Sequence, residues 1–278
     1  MYSGRNRMSY LKIILIGLAF LCFFVGMYIW LYPTIQTSGI FTGNGENNVN
    51  FLTKEETQEL LNKDADHYYE RFQKDDLLVR GVKSKEDYLE KIANSACDGY
   101  VEVEEKITDC IGKLQKRMAQ LKNETIEGIS IEKMATLPWK IGFTCDKNYE
   151  NGLPHTRRDV ILLNNRDVQT RTISEVCRLL LHEQTHVYQK QISMATYLGE
   201  NYENINISES ERKHIPANPD TDLNVYKDKK DGTVYMGQYE EKPKHFRDIR
   251  FSGGDGKDSQ YEHPYEKMAY AIEKIYVD

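Results

Sequence analysis

The chain has 278 residues, of which 40% are hydrophobic and 29% are charged, and its formal net charge at pH 7 is -6. This length and apolar content are enough for one substantial domain with a buried core, and they exclude a disordered chain. The 43 acidic residues outnumber the 37 lysines and arginines, which argues against nucleic acid as the main partner.

The N-terminal segment, residues 1–32, predicts a membrane anchor. Residues 13–31 contain no charged side chain, and they are long enough to cross about 30 Å of hydrocarbon as a helix. An uncleaved signal anchor is favoured over a cleaved signal peptide, because the apolar run is long and no small-residue cleavage site follows it cleanly. Three cations precede the run: Arg5, Arg7 and Lys12. Residues 11–32 are therefore expected to contact the membrane, with the N-terminus in the cytoplasm and the remainder lumenal or extracellular, on a cell or virion membrane.

A stalk and a helical lobe are predicted next. Residues 33–50 contain three glycines among Ser, Thr and Asn, which is typical of a flexible stalk. Residues 51–127 predict an all-helical lobe with a supporting role, because capping patterns and apolar residues recur there at helical spacing. Its three helices are expected at 53–74, 84–98 and 100–121.

Residues 128–278 predict a different architecture. Short β-rich segments separated by turn residues begin after Gly128, and they predict a small sheet. The turn from Asp228 to Gly232 predicts a hairpin, and Pro264 predicts the start of a final helix. The expected strands lie at 129–131, 139–143 and 159–163. With the anchor and the lobe, the expected fold class is α+β.

Cysteine usage leaves two alternatives open. Cys22 falls in the predicted membrane span, and the four remaining cysteines allow three pairings. Two disulfides would suit a lumenal domain. Four free thiols are also compatible with the sequence, because cysteine serves as a small core residue. The four residues are Cys97, Cys110, Cys145 and Cys177.

The segment 172–191 predicts a buried helix that begins with a capping box. His182 and His186 are four residues apart, so both imidazoles lie on one face, about one turn apart, where they can share a tetrahedral zinc ion. Glu183 lies beside them, where its carboxylate can take a proton from an activated water. The alternative is a pair of histidines that lie on the surface or in the core without a metal.

A catalytic zinc site needs a third protein ligand. No Gly-x-x-His follows His186, so the three-histidine arrangement is absent. The predicted third ligand is Glu266, in the first turn of the final helix, where Ala269 would allow close packing against the histidine helix. The alternative for Glu266 is a carboxylate stabilised by the helix macrodipole. Three substitutes stay open as ligands: Glu262, His263 and His214.

The chain resembles the zincin metallopeptidases at Leu181-His-Glu-Gln-Thr-His-Val187. At Pro264-Tyr-Glu-Lys-Met-Ala269 it resembles the gluzincin type, whose zinc is held by two helix histidines and a glutamate from a later helix. The likeness covers roughly residues 139–278, and residues 159–163 look like the edge strand above the cleft. The order of the motifs is also similar to that of uncharacterised metallopeptidases of large DNA viruses.

Together with the predicted anchor, this resemblance implies a membrane-anchored zinc endopeptidase with a zincin-like catalytic domain at residues 128–278. His182, His186 and Glu266 would bind Zn2+, and Glu183 would act as the general base that passes a proton to the leaving amine. A peptide or protein substrate would pair its backbone with the edge strand. The oxyanion would need a further donor, and five side chains are candidates: Tyr235, Tyr239, His214, His245 and Tyr261.

Two other functions are compatible with the same sequence. A zincin-like fold without catalysis would be a binding or adhesion module on the membrane surface. A zinc hydrolase acting on another carbonyl substrate would use the same water chemistry. A zinc-dependent proteolysis assay that compares the wild type with Glu183→Gln discriminates among the three.

Overall fold

The computed structural model describes residues 49–251 and 257–276. The predicted anchor and nearly all of the predicted stalk lie outside the described residues. Within the described ranges, no helix is both long enough and apolar enough to cross a membrane. The described residues all belong to one compact unit, Asn47–Asp278.

Helices and short strands alternate along this unit, so the chain has a mixed α+β fold. The helices of the described part are α1 (Lys54–Lys63), α2 (Lys74–Val79), α3 (Lys85–Ile92), α4 (Val101–Gln120), α5 (Ile131–Ala135), α6 (Asn165–Thr170), α7 (Ile173–Gln191), α8 (Ala195–Asn201), α9 (Glu209–Arg212) and α10 (Pro264–Glu273). The strands are β1 (Val49–Phe51), β2 (Ala96–Cys97), β3 (Thr125–Ile126), β4 (Ile129–Ser130), β5 (Trp139–Thr144), β6 (His155–Arg157), β7 (Val160–Asn164), β8 (Tyr202–Ile205), β9 (Val225–Asp228), β10 (Thr233–Tyr235), β11 (Gly237–Tyr239), β12 (Ile249–Phe251) and β13 (Lys257–Asp258).

The main sheet has the strand order β1-β5-β7-β6, and β2 also pairs with β5. β1, β5 and β7 run parallel, whereas β6 is antiparallel to β7. A second sheet has the order β13-β10-β9-β8, and it contains the predicted hairpin, because β9 and β10 pair on either side of the Asp228–Gly232 turn.

The end of the predicted stalk contributes to β1, and the segment predicted to be all-helical also contains β2 and β3. β1 and β2 both pair with β5, and they are too short for a periodic pattern to reveal them in the sequence. The first predicted helix ends at Lys63 rather than near residue 74, because Asp64 adopts a left-handed conformation with φ 43°.

The edge strand is not the one predicted. Residues 159–163 were expected at the edge above the cleft, but β7 lies inside the sheet between β5 and β6. Because all of β7 is buried and its first four residues are apolar, its sequence suits an internal position. The edge is β6, which has three residues and no apolar alternation.

The largest apolar core joins α4, β5, β7, α7 and α10. Two disulfides reinforce it, which resolves the choice between paired and free cysteines. Cys97 pairs with Cys145, and Cys110 pairs with Cys177 across α4 and α7. The long histidine helix is therefore held against the core on several sides.

Candidate metal centre

Helix α7 places the two histidines on one face. The predicted capping box is present, with Thr172 and Glu175 each accepting a hydrogen bond from the main-chain N–H of the other. The ring centroids of His182 and His186 are 4.8 Å apart, and the ring planes are inclined by 71°. Since α7 packs against α4, α5 and α10, the rings are carried by an element with little freedom to move.

The first turn of α10 places Glu266 opposite these rings. Glu266 Oε2 lies 3.4 Å from His182 Nε2, and Oε1 lies 3.5 Å from His186 Nε2. In a tetrahedral zinc site with bonds of about 2.0–2.2 Å, two ligand atoms are separated by roughly 3.3–3.5 Å. The ligand atoms of the three side chains lie within 4.8 Å of one another. This spacing fits one zinc ion held by three protein ligands.

The opposite ring nitrogens are held by hydrogen-bond acceptors. His182 Nδ1 lies 2.6 Å from Glu273 Oε1, and His186 Nδ1 lies 2.8 Å from Gln189 Oε1. Gln189 in turn donates through Nε2 to the carbonyl of Tyr265, 3.1 Å away. With each Nδ1–H donated to its acceptor, both rings present Nε2 to Glu266, which is the arrangement usual for zinc-binding histidines.

The environment of His186 Nε2 gives the most specific test of whether these side chains suit a metal ion. This atom is buried and has no hydrogen-bond partner in the described part of the chain. A buried polar nitrogen without a partner is costly. Because Glu266 already lies 3.5 Å away on the same side, a metal ion between them would satisfy both groups.

The charges around the three ligands are unequal. Burial would lower the pKa of His182, but the adjacent Glu266 and Glu273 carboxylates raise it well above its ordinary value. Burial lowers the pKa of His186, which favours the neutral form that a metal ligand needs. Burial would raise the pKa of Glu266, but His186 and His182 bring it down to about 2. The carboxylate is therefore charged and ready to bind a cation.

Glu183 lies almost completely buried beside the ligands. Its Oε2 accepts a hydrogen bond from Thr156 Oγ1 at 3.0 Å, and its main-chain oxygen lies 3.1 Å from the same hydroxyl. Burial, and then the negative charge of Asp220, raise the pKa of Glu183 to about 8. A cation in the centre would favour the ionised carboxylate. The edge strand thus holds the Glu183 carboxylate beside the candidate ligands.

A cleft of about 620 Å3 opens beside His182, Glu183 and Glu266. The first half of α7 forms one side, and residues 216–220 form another. This volume is in the range of sites that bind small molecules or short segments of chain.

The substitute ligands have other partners. The Glu262 carboxylate lines the cleft but accepts a hydrogen bond from Asn218. His263 caps α10 and lies 3.3 Å from Asp222. His214 is ion-paired with an aspartate of α2, and its side chain is 54% exposed. None of the three belongs to the ligand group found among the described residues.

Two of the five candidate oxyanion donors line the cleft, Tyr239 and Tyr261. The Tyr239 hydroxyl already donates to the buried Asp76 at 3.1 Å. Tyr261 stacks on Tyr270, with ring centroids 5.2 Å apart. Three candidates are not among the described residues that line this cleft: Tyr235, His214 and His245.

Several residues at the site were not predicted from the sequence. Glu273 stands two turns after the third ligand on the same face of α10, and Gln189 follows the second histidine by three residues, so helical spacing could have identified both. Tyr270 is 43% exposed, and its ring packs edge-on against His182 at 4.8 Å. Thr156 had no sequence signal, because its contact with Glu183 joins residues 27 positions apart.

Comparisons of the chain with protein-family models, with curated proteins and with solved structures found no match. The function must therefore be inferred from the geometry and chemistry of the centre itself.

Proposed function

We propose that the chain is a zinc-dependent metallopeptidase of the gluzincin type. The observation that carries this proposal is the convergence of His182 Nε2, His186 Nε2 and the Glu266 carboxylate within 4.8 Å. Three protein ligands leave a fourth position for water or substrate, as in catalytic zinc sites, whereas structural zinc sites have four. The adjacent Glu183 supports a catalytic role for the centre, since a purely structural zinc site does not require a buried carboxylate beside its ligands.

Each residue of the centre has a separate role in the proposed hydrolysis. Zinc, when bound, supplies a Lewis acid that lowers the pKa of water and polarises the scissile carbonyl. Glu183 accepts the proton of the attacking water and delivers it to the leaving amine. Thr156 keeps the Glu183 carboxylate oriented through its 3.0 Å hydrogen bond. Tyr261 and Tyr270 line the cleft, and their hydroxyls are the proposed donors to the oxyanion.

The proposal includes a location. The predicted anchor at residues 13–31 would hold the domain at a membrane, on its lumenal or extracellular side. The two disulfides support this side, because disulfides persist in oxidising compartments. A peptide or protein in that compartment would be the substrate.

The test compares the wild-type full-length protein, purified in detergent, with Glu183→Gln. The wild type should hydrolyse a mixed-sequence peptide library when zinc is supplied and stop when a chelator is added. Glu183→Gln should keep one zinc per chain and lose activity on the order of 10²–10⁴-fold, the usual effect of removing a general base. Glu90→Gln, on the exposed side of α3, is the matched control and should retain wild-type activity. Equal activity of Glu183→Gln and wild type would exclude this mechanism.

A second candidate is a binding or adhesion module with the same fold and no turnover. One observation favours it. The outward main-chain groups of Thr156 on the edge strand are already hydrogen-bonded to Asp220 and Lys190, so an extended peptide does not find a free edge there. Stoichiometric zinc in a wild-type protein that cleaves no peptide would support this second function.

A further inference from the structure

Residues 216–222, named the strap, lie along the edge strand β6. Thr156 stands in the middle of β6, and in an antiparallel pair alternate residues turn their N–H and C=O away from the partner strand. The Thr156 N–H donates to Asp220 Oδ1 at 2.9 Å, and its carbonyl accepts from Lys190 Nζ at 2.8 Å. Lys190 also donates to the carbonyl of Pro219 at 2.6 Å. The positions that a substrate backbone would use at this edge are therefore filled.

Residues between β1 and β2 in the sequence hold the strap in place. Arg71 donates to two strap carbonyls, those of Thr221 at 2.6 Å and Asn218 at 2.9 Å. The main-chain N–H of Ala217 donates to Asp76 Oδ1 at 2.9 Å. These bonds join residues 141 to 150 positions apart in sequence, and they attach the strap to the N-terminal part of the domain.

Two features of the cleft then limit what it can bind. An extended polypeptide is usually held by main-chain pairing with an exposed strand edge, and at Thr156 that edge is covered. The cleft volume, about 620 Å3, is in the range of small-molecule sites. A long chain would have to displace the strap, whereas a short peptide can reach the centre from the open side of the cleft.

We propose that the strap determines substrate size: by covering the edge of β6 it admits short peptides and chain ends to the centre and excludes the interior of an extended polypeptide. This inference depends on the proposed peptidase function and replaces the expected endopeptidase preference by a preference for short substrates. Arg71 and Lys190 act on specificity through the strap, so they are positioning residues.

The test uses full-length protein, zinc and a nested series of quenched peptides. All peptides share the bond that the wild type cleaves best in a mixed library, and they grow in both directions from a tetrapeptide to a hexadecapeptide. Wild-type kcat/KM should fall on the order of tenfold from the shortest to the longest peptide, because the longer chain must displace the strap and break the two hydrogen bonds of modest strength at Thr156. Arg71→Ala and Lys190→Met should loosen the strap and abolish most of that difference.

Lys106→Met is the matched control. Lys106 also binds main-chain carbonyls, those of Val168, Gln169 and Arg171, but it does not contact the strap, so its variant should keep the wild-type size preference. Amide hydrogen exchange supplies a readout without catalysis: the segment with Thr156 should be protected in the wild type and should exchange at least several-fold faster in Arg71→Ala.

The outcomes separate the two proposals. Cleavage of no peptide by the wild type contradicts the peptidase function itself. Cleavage of short and long peptides with equal kcat/KM contradicts the role of the strap and leaves the peptidase intact. Rapid wild-type exchange at Thr156 would also contradict the strap proposal, since it would mean that the edge of β6 is open in solution.

Discussion

Replacing Glu273 should weaken zinc binding without unfolding the chain. Its Oε1 lies 2.6 Å from His182 Nδ1, and this contact fixes the ring so that Nε2 faces Glu266. The Glu273 side chain is 23% exposed, so its loss leaves no fully buried cavity. Removing a hydrogen-bond acceptor behind a metal-binding histidine costs about 10–100-fold in affinity, which corresponds to about 1.4–2.7 kcal/mol.

Two substitutions separate the charge from the hydrogen bond. Glu273→Leu removes both and should give the full loss of affinity. Glu273→Gln keeps an oxygen that accepts from Nδ1–H, so its loss should be a smaller, few-fold effect, roughly half of the free-energy change, because a charge-assisted bond is about twice as strong as a neutral one. Glu90→Leu, at an exposed position of α3, should bind zinc as the wild type does.

The assay is a competition titration against a chromogenic zinc chelator at fixed pH. Circular dichroism of each variant in the absence of zinc checks that the fold is retained. If Glu273→Leu bound zinc as tightly as the wild type while remaining folded, His182 Nε2 would not be a zinc ligand, and the proposed centre would be wrong.

The remaining predictions concern stability. Burial would raise the pKa of Glu150, but the charge and hydrogen bonds of Arg80 lower it below its ordinary value of 4.5, so the stability from this pair is present above that value and is lost as the pH falls through the lowered pKa. Urea unfolding at a series of acidic pH values should show this loss of stability in the wild type. Glu150→Gln should be roughly 3–5 kcal/mol less stable at neutral pH, and its stability should depend less on acid. Equal pH profiles of the two proteins would contradict a stabilising ion pair between Arg80 and Glu150. Replacing Cys110 and Cys177 together by Ala opens a link across 67 residues and should cost about 4 kcal/mol in the free energy of unfolding, whereas an unchanged urea midpoint would contradict that disulfide.

The helices that carry the centre could be predicted because their signals are local. The capping box at Thr172, the four-residue step between His182 and His186, and Pro264 at the first position of α10 each depend on a few adjacent residues. Helical spacing then dictates which side chains share a face. The structure brings Glu266 to these histidines across 80 positions of chain, and its role as a zinc ligand stays a prediction.

The edge strand could not be predicted for the opposite reason. β6 has three residues, and neither its length nor its composition distinguishes it from a loop. Its strand conformation comes from pairing with β7, which had the stronger pattern and was therefore wrongly expected at the edge. β1 and β2 could not be predicted for the same reason, because their strand conformation depends on pairing with β5 and not on a pattern in their own sequences.

The long segment between His186 and Glu266 has a defined structure in this fold. Part of it forms β8, β9 and β10, a sheet with its own small apolar cluster, and part of it forms the strap. The strap is bonded to Arg71 on one side and to Thr156 on the other, and Thr156 is bonded to Glu183. Arg71 is therefore connected to the proposed general base through three hydrogen-bonded steps. In the proposed peptidase, the segment expected to be a scaffold without chemistry would therefore influence which substrates reach Glu183. Variants at Arg71 should accordingly change the choice of substrate length while leaving zinc affinity at the wild-type value, a separation that substitutions of Glu273 should not produce.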